Sequence, residues 1–277
     1  MRGTPRDSFR ALAQTSGNEL PLAEGALLIA AEEYPTLDIG QYVATLDRLA
    51  DEARARVPSV LDPPAAASAL CEFLFKEAGF RGNAQDYGDP KNSLLNDVLD
   101  RRRGIPITLA VVHLEVGWRL HLPMYGVGMP SHFLVACETK GEPLFIDAFH
   151  GVVLTEAGCA HLFERIAGGS IPFRKDYLAP TPARYILVRI LRNLKGIFLQ
   201  KDDLDRTAAA VERILLLAPD LVEDVRDLGL IRYRQGKLVE ARGLLEQYLR
   251  STPKDASDRT AVETHLLQVR ELLARLN

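Results

Sequence analysis

The sequence is sparing with the residues that most often announce a chemistry. Among 277 residues there are three cysteines, three methionines and one tryptophan. Cys71, Cys137 and Cys159 are odd in number and widely spaced, which excludes a CxxC redox pair and a thiolate metal knuckle. The same usage suits a reducing compartment with no disulfide framework, and a cytoplasmic location is expected. No apolar run is long enough to span a bilayer; among the longest, Ile105 to Leu114 is broken by Pro106, Thr108 and His113. The basic start, MRGTPRDSFRALAQ, has no apolar block behind it, so no secretory signal and no membrane partner are expected. A large charge of either sign is missing too: the formal net charge is −3, which argues against nucleic-acid binding by bulk electrostatics. The five histidines between residues 113 and 161 show no HExxH or comparable ligand spacing, so no metal and no cofactor are expected.

What remains is an ordinary globular balance, 47% hydrophobic and 26% charged, in a chain long enough for two domains or one large one. From Leu20 to Arg56 apolar residues recur at helical spacing. Pro35 stops a first helix, and Asp38 is placed to cap a second with Tyr42, Leu46 and Leu49 on its inner stripe. Pro63 and Pro64 punctuate a connection, and a third helix runs from Ala65 to Ala78, ended by Gly79. GFRGNAQDYGDPKNS is turn-rich. Leu94 to Arg103 reads as a short helix closed by Gly104, with the basic run Arg101-Arg102-Arg103 at its negative end. Pro106 fits the first turn of the next helix, and the apolar body from Ile107 to Leu120 predicts a buried central helix. Val127–Gly128, His132–Cys137, Leu144–Asp147 and Val152–Leu154 read as short strands, followed by a helix from Glu156 to Ala167. Pro180 and Pro182 mark a boundary between a domain at 1–180 and an all-helical one at 181–277.

The helical end contains a repeat. Pro219 and Pro253 are 34 positions apart, the tetratricopeptide period, and Gly229 and Ala241 sit where that repeat places small residues. About two repeats and a capping helix, Thr260 to Leu276, are expected.

The central stretch carries the candidate chemistry. His132 opens one apolar run and Asp147 closes the next, and a hairpin can bring positions so spaced side by side. A buried helix facing strands that carry a His and an Asp is the frame of a thiol-dependent acyl-transfer site, in which a thiolate at the helix start is served by an imidazole that a carboxylate orients. The helix start, however, reads Gly104-Ile105-Pro106-Ile107-Thr108 and offers no sulfur; Thr108 is its only hydroxyl. Asn92, Ser93 and Asn96, with Asp97, form a polar cluster ahead of the helix. They serve either as caps and turn bonds or as the lining of a groove beside His132. His150 is a turn imidazole near the same place. Cys137 falls on the opposite face of its strand from His132, and each cysteine is expected to act as a small buried hydrophobe.

At this point NSLLNDVLDRRRGIPITL, YGVGMPSHFLV and FIDAFHG, with the repeats behind them, resemble the bacterial transglutaminase-like family that carries C-terminal tetratricopeptide repeats, the Sir-B invasion-regulator type. The resemblance extends over nearly the whole chain after the first 20 residues. It implies an α+β, papain/transglutaminase-like core, a central helix against a small antiparallel sheet, with N-terminal helices and a C-terminal all-α region. It also implies that His132 and Asp147 are the family's His and Asp, and that Pro106 stands where the motif Gly-x-Cys has its nucleophile. Two further departures are Ser131 in place of a Gly before the His, and Asp147-Ala148-Phe149-His150 in place of Asp-Pro-Phe-Asn.

Three readings follow. One is a non-catalytic interaction or regulatory module, engaging a protein partner through its repeats or groove. Another is an unconventional hydrolase or acyltransferase with His132 as base, Asp147 as its orienter and Thr108 or water as attacker. The last is a protease-type enzyme with a displaced cysteine. The missing Gly-x-Cys favours the first, and no small-molecule substrate is indicated.

Overall fold

A proline in the first turn and a nearly continuous apolar body make Pro106–Arg119 the helix on which the N-terminal unit is laid down. Pro106 sacrifices no hydrogen bond there, and every residue from Pro106 to Gly117 is buried. The structure, a computed structural model, describes residues 4–15, 20–57, 62–169 and 171–276. Ahead of the central helix come α1 (Pro5–Ala13), α2 (Leu22–Ala30), α3 (Ile39–Arg54), α4 (Pro63–Glu72), the two-residue strand β1 (Arg81–Gly82), α5 (Leu95–Arg101) and β2 (Arg103–Gly104), so Pro106–Arg119 is α6. After it come β3 (Met124–Val127), β4 (Leu134–Cys137), β5 (Leu144–Asp147), β6 (Val152–Leu154), α7 (Glu156–Ala167), β7 (Pro180–Thr181) and α8 (Ala183–Gln200). Helices α9 (Leu204–Leu217), α10 (Val222–Arg234), α11 (Leu238–Ser251) and α12 (Arg259–Leu276) complete the described chain.

Local chemistry accounts for the helix ends. Asp38 caps α3 by accepting from the Gln41 N–H at 3.2 Å. The start of α2 has no capping side chain of its own. Instead the buried Glu115 of α6 accepts from the Ala23 N–H at 2.7 Å, which ties the two helices together. The third helix is not wholly α: it turns π-helical from Phe73 to Glu77 before Gly79 leaves it at φ +79°. Nor does Gly104 close α5. Arg102 takes the left-handed cap at φ 56°, its guanidinium lying 4.5 Å from the centre of the Phe80 ring, and Gly104 is paired in β2.

The five-stranded sheet has the order β6-β5-β4-β3-β7, with every neighbouring pair antiparallel. Helix α6 packs on β3 and β4. Val127, Leu134, Ala136 and Phe145 join Cys159, Leu162 and Phe163 of α7 in a closed apolar cluster. Each of its fully buried large side chains contributes about 2 kcal/mol. Strand β3 begins at Met124 rather than Val127, and β4 begins at Leu134, which leaves His132 in the turn that precedes it.

The chain divides into Met1–Ile190 and Leu191–Asn277. The division therefore lies within α8, ten residues beyond the Pro-rich segment read as a boundary. That segment is an edge strand: Val127 pairs with Pro180 and Gly126 with Thr181, and an edge tolerates the missing N–H of proline. Ile186, Leu187, Val188 and Ile190, which follow, are buried.

In the second unit the repeat reading holds in detail. A Cβ at Gly229 of α10 would stand 2.8 Å from Leu245 of α11, and Ala241 is fully buried, so the small residues mark a close helix crossing. The buried Asp224, in the first turn of α10, receives Arg192 Nη2 and Lys195 Nζ, each at 2.7 Å. Burial pushes its carboxyl up, but the two cations outweigh burial and hold it below the usual Asp range. The stabilisation is therefore complete above about pH 4, where the unfolded carboxyl ionises. It is lost as pH falls through the lower folded value. Asp224→Asn should cost on the order of 3 kcal/mol at pH 7, read by urea unfolding of the full chain, and the loss should shrink at pH 3. An equal loss at both pH values would contradict the ion-pair account.

Candidate functional site

The site is made by the end of β5, the turn after it and the turn before β4. Asp147 is the last residue of β5 and is 1% exposed. Its Oδ1 accepts two backbone N–H groups of the following turn, from Phe149 at 3.0 Å and His150 at 3.3 Å. Both imidazoles approach the other oxygen: His150 Nδ1 lies 2.7 Å from Oδ2 and His132 Nε2 lies 3.1 Å from it. The His150 contact is a hydrogen bond. At His132 the N···O line falls outside hydrogen-bond geometry, so this buried nitrogen has close electrostatic contact but no hydrogen-bond partner. Burial raises the Asp147 carboxyl, yet the two imidazoles together bring it below the ordinary Asp range, and it is ionised at neutral pH.

Neighbouring elements fix both rings. The turn before β4 places Ser131 in the left-handed region, φ 60°, and closes with the His132 N–H on the Met129 carbonyl at 3.1 Å. The resemblance places a glycine at this position; here serine adopts the glycine-favoured backbone. Arg189 of α8 gathers the same turn, donating through Nη2 to the carbonyls of Met129 at 2.9 Å and His132 at 2.7 Å. His150 is half-exposed, lies near-parallel to His132 at 6.1 Å between centroids, and meets the Phe149 ring edge-on at 5.1 Å. A Cβ at Gly82 would stand 2.5 Å from Phe149, and the Gly82 N–H donates to the Phe149 carbonyl at 3.1 Å. Beside Asp147 and His150 a cavity of about 490 Å³ opens, lined also by His161, Leu162 and Arg165 of α7.

The remaining candidates divide differently. Thr108 is 1% exposed; its hydroxyl donates to the Asn92 carbonyl at 2.6 Å and accepts from the Ile105 N–H at 3.2 Å. It holds the start of α6. Asn92, fully buried, donates to the Asp86 carbonyl at 2.6 Å and accepts from Asn83 Nδ2 at 3.0 Å. It is the clasp of the turn-rich loop. Ser93 Oγ and Asn96 Oδ1 are buried without protein partners. Among the described residues no hydrogen bond joins Asn92, Ser93 or Asn96 to His132, Asp147 or His150. His113 is a core residue: Nδ1 meets the Leu109 carbonyl at 3.0 Å, and burial pulls its pKa down to about 4.

The three thiols are buried and free. Burial pushes Cys71 and Cys137 up to about 11 and Cys159 up to about 12, so almost no thiolate exists at neutral pH. Cys137 Sγ faces the carbonyls of Pro63 and Glu138, at 3.7 and 3.6 Å. The structure brings together three residues that sequence reasoning singled out, His132, Asp147 and His150. That reasoning missed Arg189, since no local motif reports that a helix beginning at Ala183 would reach back to the turn at His132.

Residues 40–192 match the transglutaminase-like superfamily, and residues 194–267 match the tetratricopeptide repeat. A UPF0162 protein of Xylella fastidiosa is 39% identical over 251 residues, covering 88% of this chain and 89% of its own. The UPF0162 protein PA3419 of Pseudomonas aeruginosa is 30% identical, covering 72% of each. Protein SirB1 of Salmonella typhimurium is 27% identical, covering 80% of this chain and 83% of its own.

Two outcomes follow from the geometry. Iodoacetamide at neutral pH should leave Cys71, Cys137 and Cys159 unlabelled in the folded chain and modify all three in denaturant, read by mass spectrometry; one fast native thiol would contradict this. Gly151, at φ +66° with Phe75 carbons 2.2 Å from a built Cβ, donates to the Asp147 carbonyl at 2.8 Å. Gly151→Ala should therefore cost about 2–4 kcal/mol in chemical denaturation, and a neutral result would refute the tight turn.

Proposed function

The chain belongs to the transglutaminase-like superfamily, and on that premise we propose that it is a non-catalytic member that engages a protein partner through its repeat unit. The observation that carries the reading is the start of α6: Pro106 occupies its first turn, and the Thr108 hydroxyl is committed to the Asn92 carbonyl. With the thiols buried and held protonated, no side chain there supplies the attacking atom of covalent acyl transfer. Three unpaired thiols fit a reducing compartment, and we place the protein in the cytoplasm. None of its described helices is long and apolar enough to cross a membrane.

A binding role has a candidate surface in the second unit. A cavity of about 350 Å³ is lined by Leu199, Leu230, Ile231 and Tyr233, together with Lys195, Asp227, Arg234 and His265. Leu199 is 43% exposed, and a peptide with apolar anchors suits this lining.

The second reading, water-dependent hydrolysis with His132 as base, draws on the contact between His132 and Asp147. One comparison separates the two. A photo-crosslinking residue in place of Tyr233 should trap a discrete protein in cells. Leu199→Asp with Leu230→Asp should cut that trapping at least tenfold, and His132→Ala should leave it unchanged. Turnover of an amide or ester that survives thiol alkylation but disappears in His132→Ala would overturn the non-catalytic reading.

A further inference from the structure

Linear spacing conceals the metal-ligating potential of this site, because its three donors come from two turns that only the β4–β5 hairpin brings together. His132 Nε2, Asp147 Oδ2 and His150 Nδ1 all lie within 4.8 Å of one another. We propose that these three atoms form a binding site for a divalent transition metal of the zinc class, with at least one coordination position open to the cavity beside His150. The inference does not depend on the repeat unit binding a partner, and it assigns no reaction.

Three observations carry it. The first is the donor set. Two neutral imidazoles and one carboxylate are borderline N and O donors, the ligand type that suits zinc and its divalent neighbours rather than calcium or magnesium. The second is the direction of His132. Its ring is 6% exposed, and its Nε2 sits 3.1 Å from Asp147 Oδ2 without pointing along that line. Two groups that hydrogen-bond direct donor and lone pair at each other; two groups that chelate direct their lone pairs at a third point. A buried nitrogen that is close to a carboxylate but outside hydrogen-bond geometry is compatible with the second arrangement. The third is the half-exposure of one ligand and the burial and bonding of the others. A tetrahedral ion with bonds of about 2.0–2.1 Å holds its donors roughly 3.3 Å apart. His150 is half-exposed and can withdraw from its 2.7 Å contact to that spacing. Asp147 meanwhile is fixed through Oδ1 by two backbone N–H groups, and the His132 turn is held by Arg189. Such outer bonds orient ligands in metal sites.

The cavity beside the cluster admits water or a small anion, and Arg165 and His161 line it. His161 is exposed and is not counted as a ligand.

The experiment uses the full chain, stripped with a chelator and dialysed. Zinc is added in a calorimetric titration, and cobalt is added separately so that its visible absorption reports coordination geometry. One equivalent should bind at micromolar or tighter affinity, and cobalt should give the intense absorption of a four- or five-coordinate site. His150→Ala, a half-exposed position, should weaken zinc at least tenfold while the far-ultraviolet circular dichroism without metal stays native, even though loss of the bond to Asp147 lowers the melting temperature. His132→Ala should do the same for zinc, and His161→Ala should not. Absence of stoichiometric binding, or binding that His150→Ala and His132→Ala both leave intact, would overturn the proposal. Because trapping by the repeat unit is read independently, the two ideas fail separately.

Discussion

One buried carboxylate organises this molecule's chemistry. Asp147 is removed from water and would be protonated if left alone, since burial pushes its carboxyl upward. The two imidazoles reverse that, and two backbone N–H groups of the following turn hold its other oxygen. The turn after β5, the turn before β4 and the start of α8 all converge on keeping this charge satisfied. An unpaired charge at such a position would cost several kcal/mol, so the local fold and the site share one electrostatic requirement.

What surrounds the cluster sets its limits. The start of α6 is held by local bonds. Pro106 preorganises the first turn, and Thr108 stitches it to the loop at Asn92. Sulfur is present in the unit but is placed as packing: Cys159 lies inside the apolar cluster under α7, and Cys71 and Cys137 are buried with their protons held. The result is a His-Asp-His group with an adjoining cavity.

Much of this was legible before any coordinates. Hydrophobic period and proline position mark α6, and short apolar runs bounded by turn residues mark β5 and β6, because local physics decides those elements. His132 and Asp147 were legible as a pair because a hairpin was the simplest way to join them. The shortfalls have a common cause, which is that distant contacts override local signals. Pro180–Thr181 reads as a linker by composition but becomes an edge strand, since β3 offers it a partner. Arg102 takes a backbone conformation that favours glycine, with the Phe80 ring beneath its guanidinium. Arg189 could not be found at all, as its role depends on a chain separation of 57 residues. The convergence of His150 on the same carboxylate oxygen as His132 was equally hidden, for a turn imidazole carries no directional information in sequence.

The account stands or falls on whether Asp147 holds both rings at once. Long-range proton–nitrogen NMR of the side chains reports the tautomer and environment of each imidazole directly. With Asp147→Asn, the ring nitrogens of His132 and His150 should both shift, while those of His161 and His265 stay where they were. If the His132 signals are the same in the variant as in the native chain, the carboxylate is not in electrostatic contact with that ring, and the account is wrong.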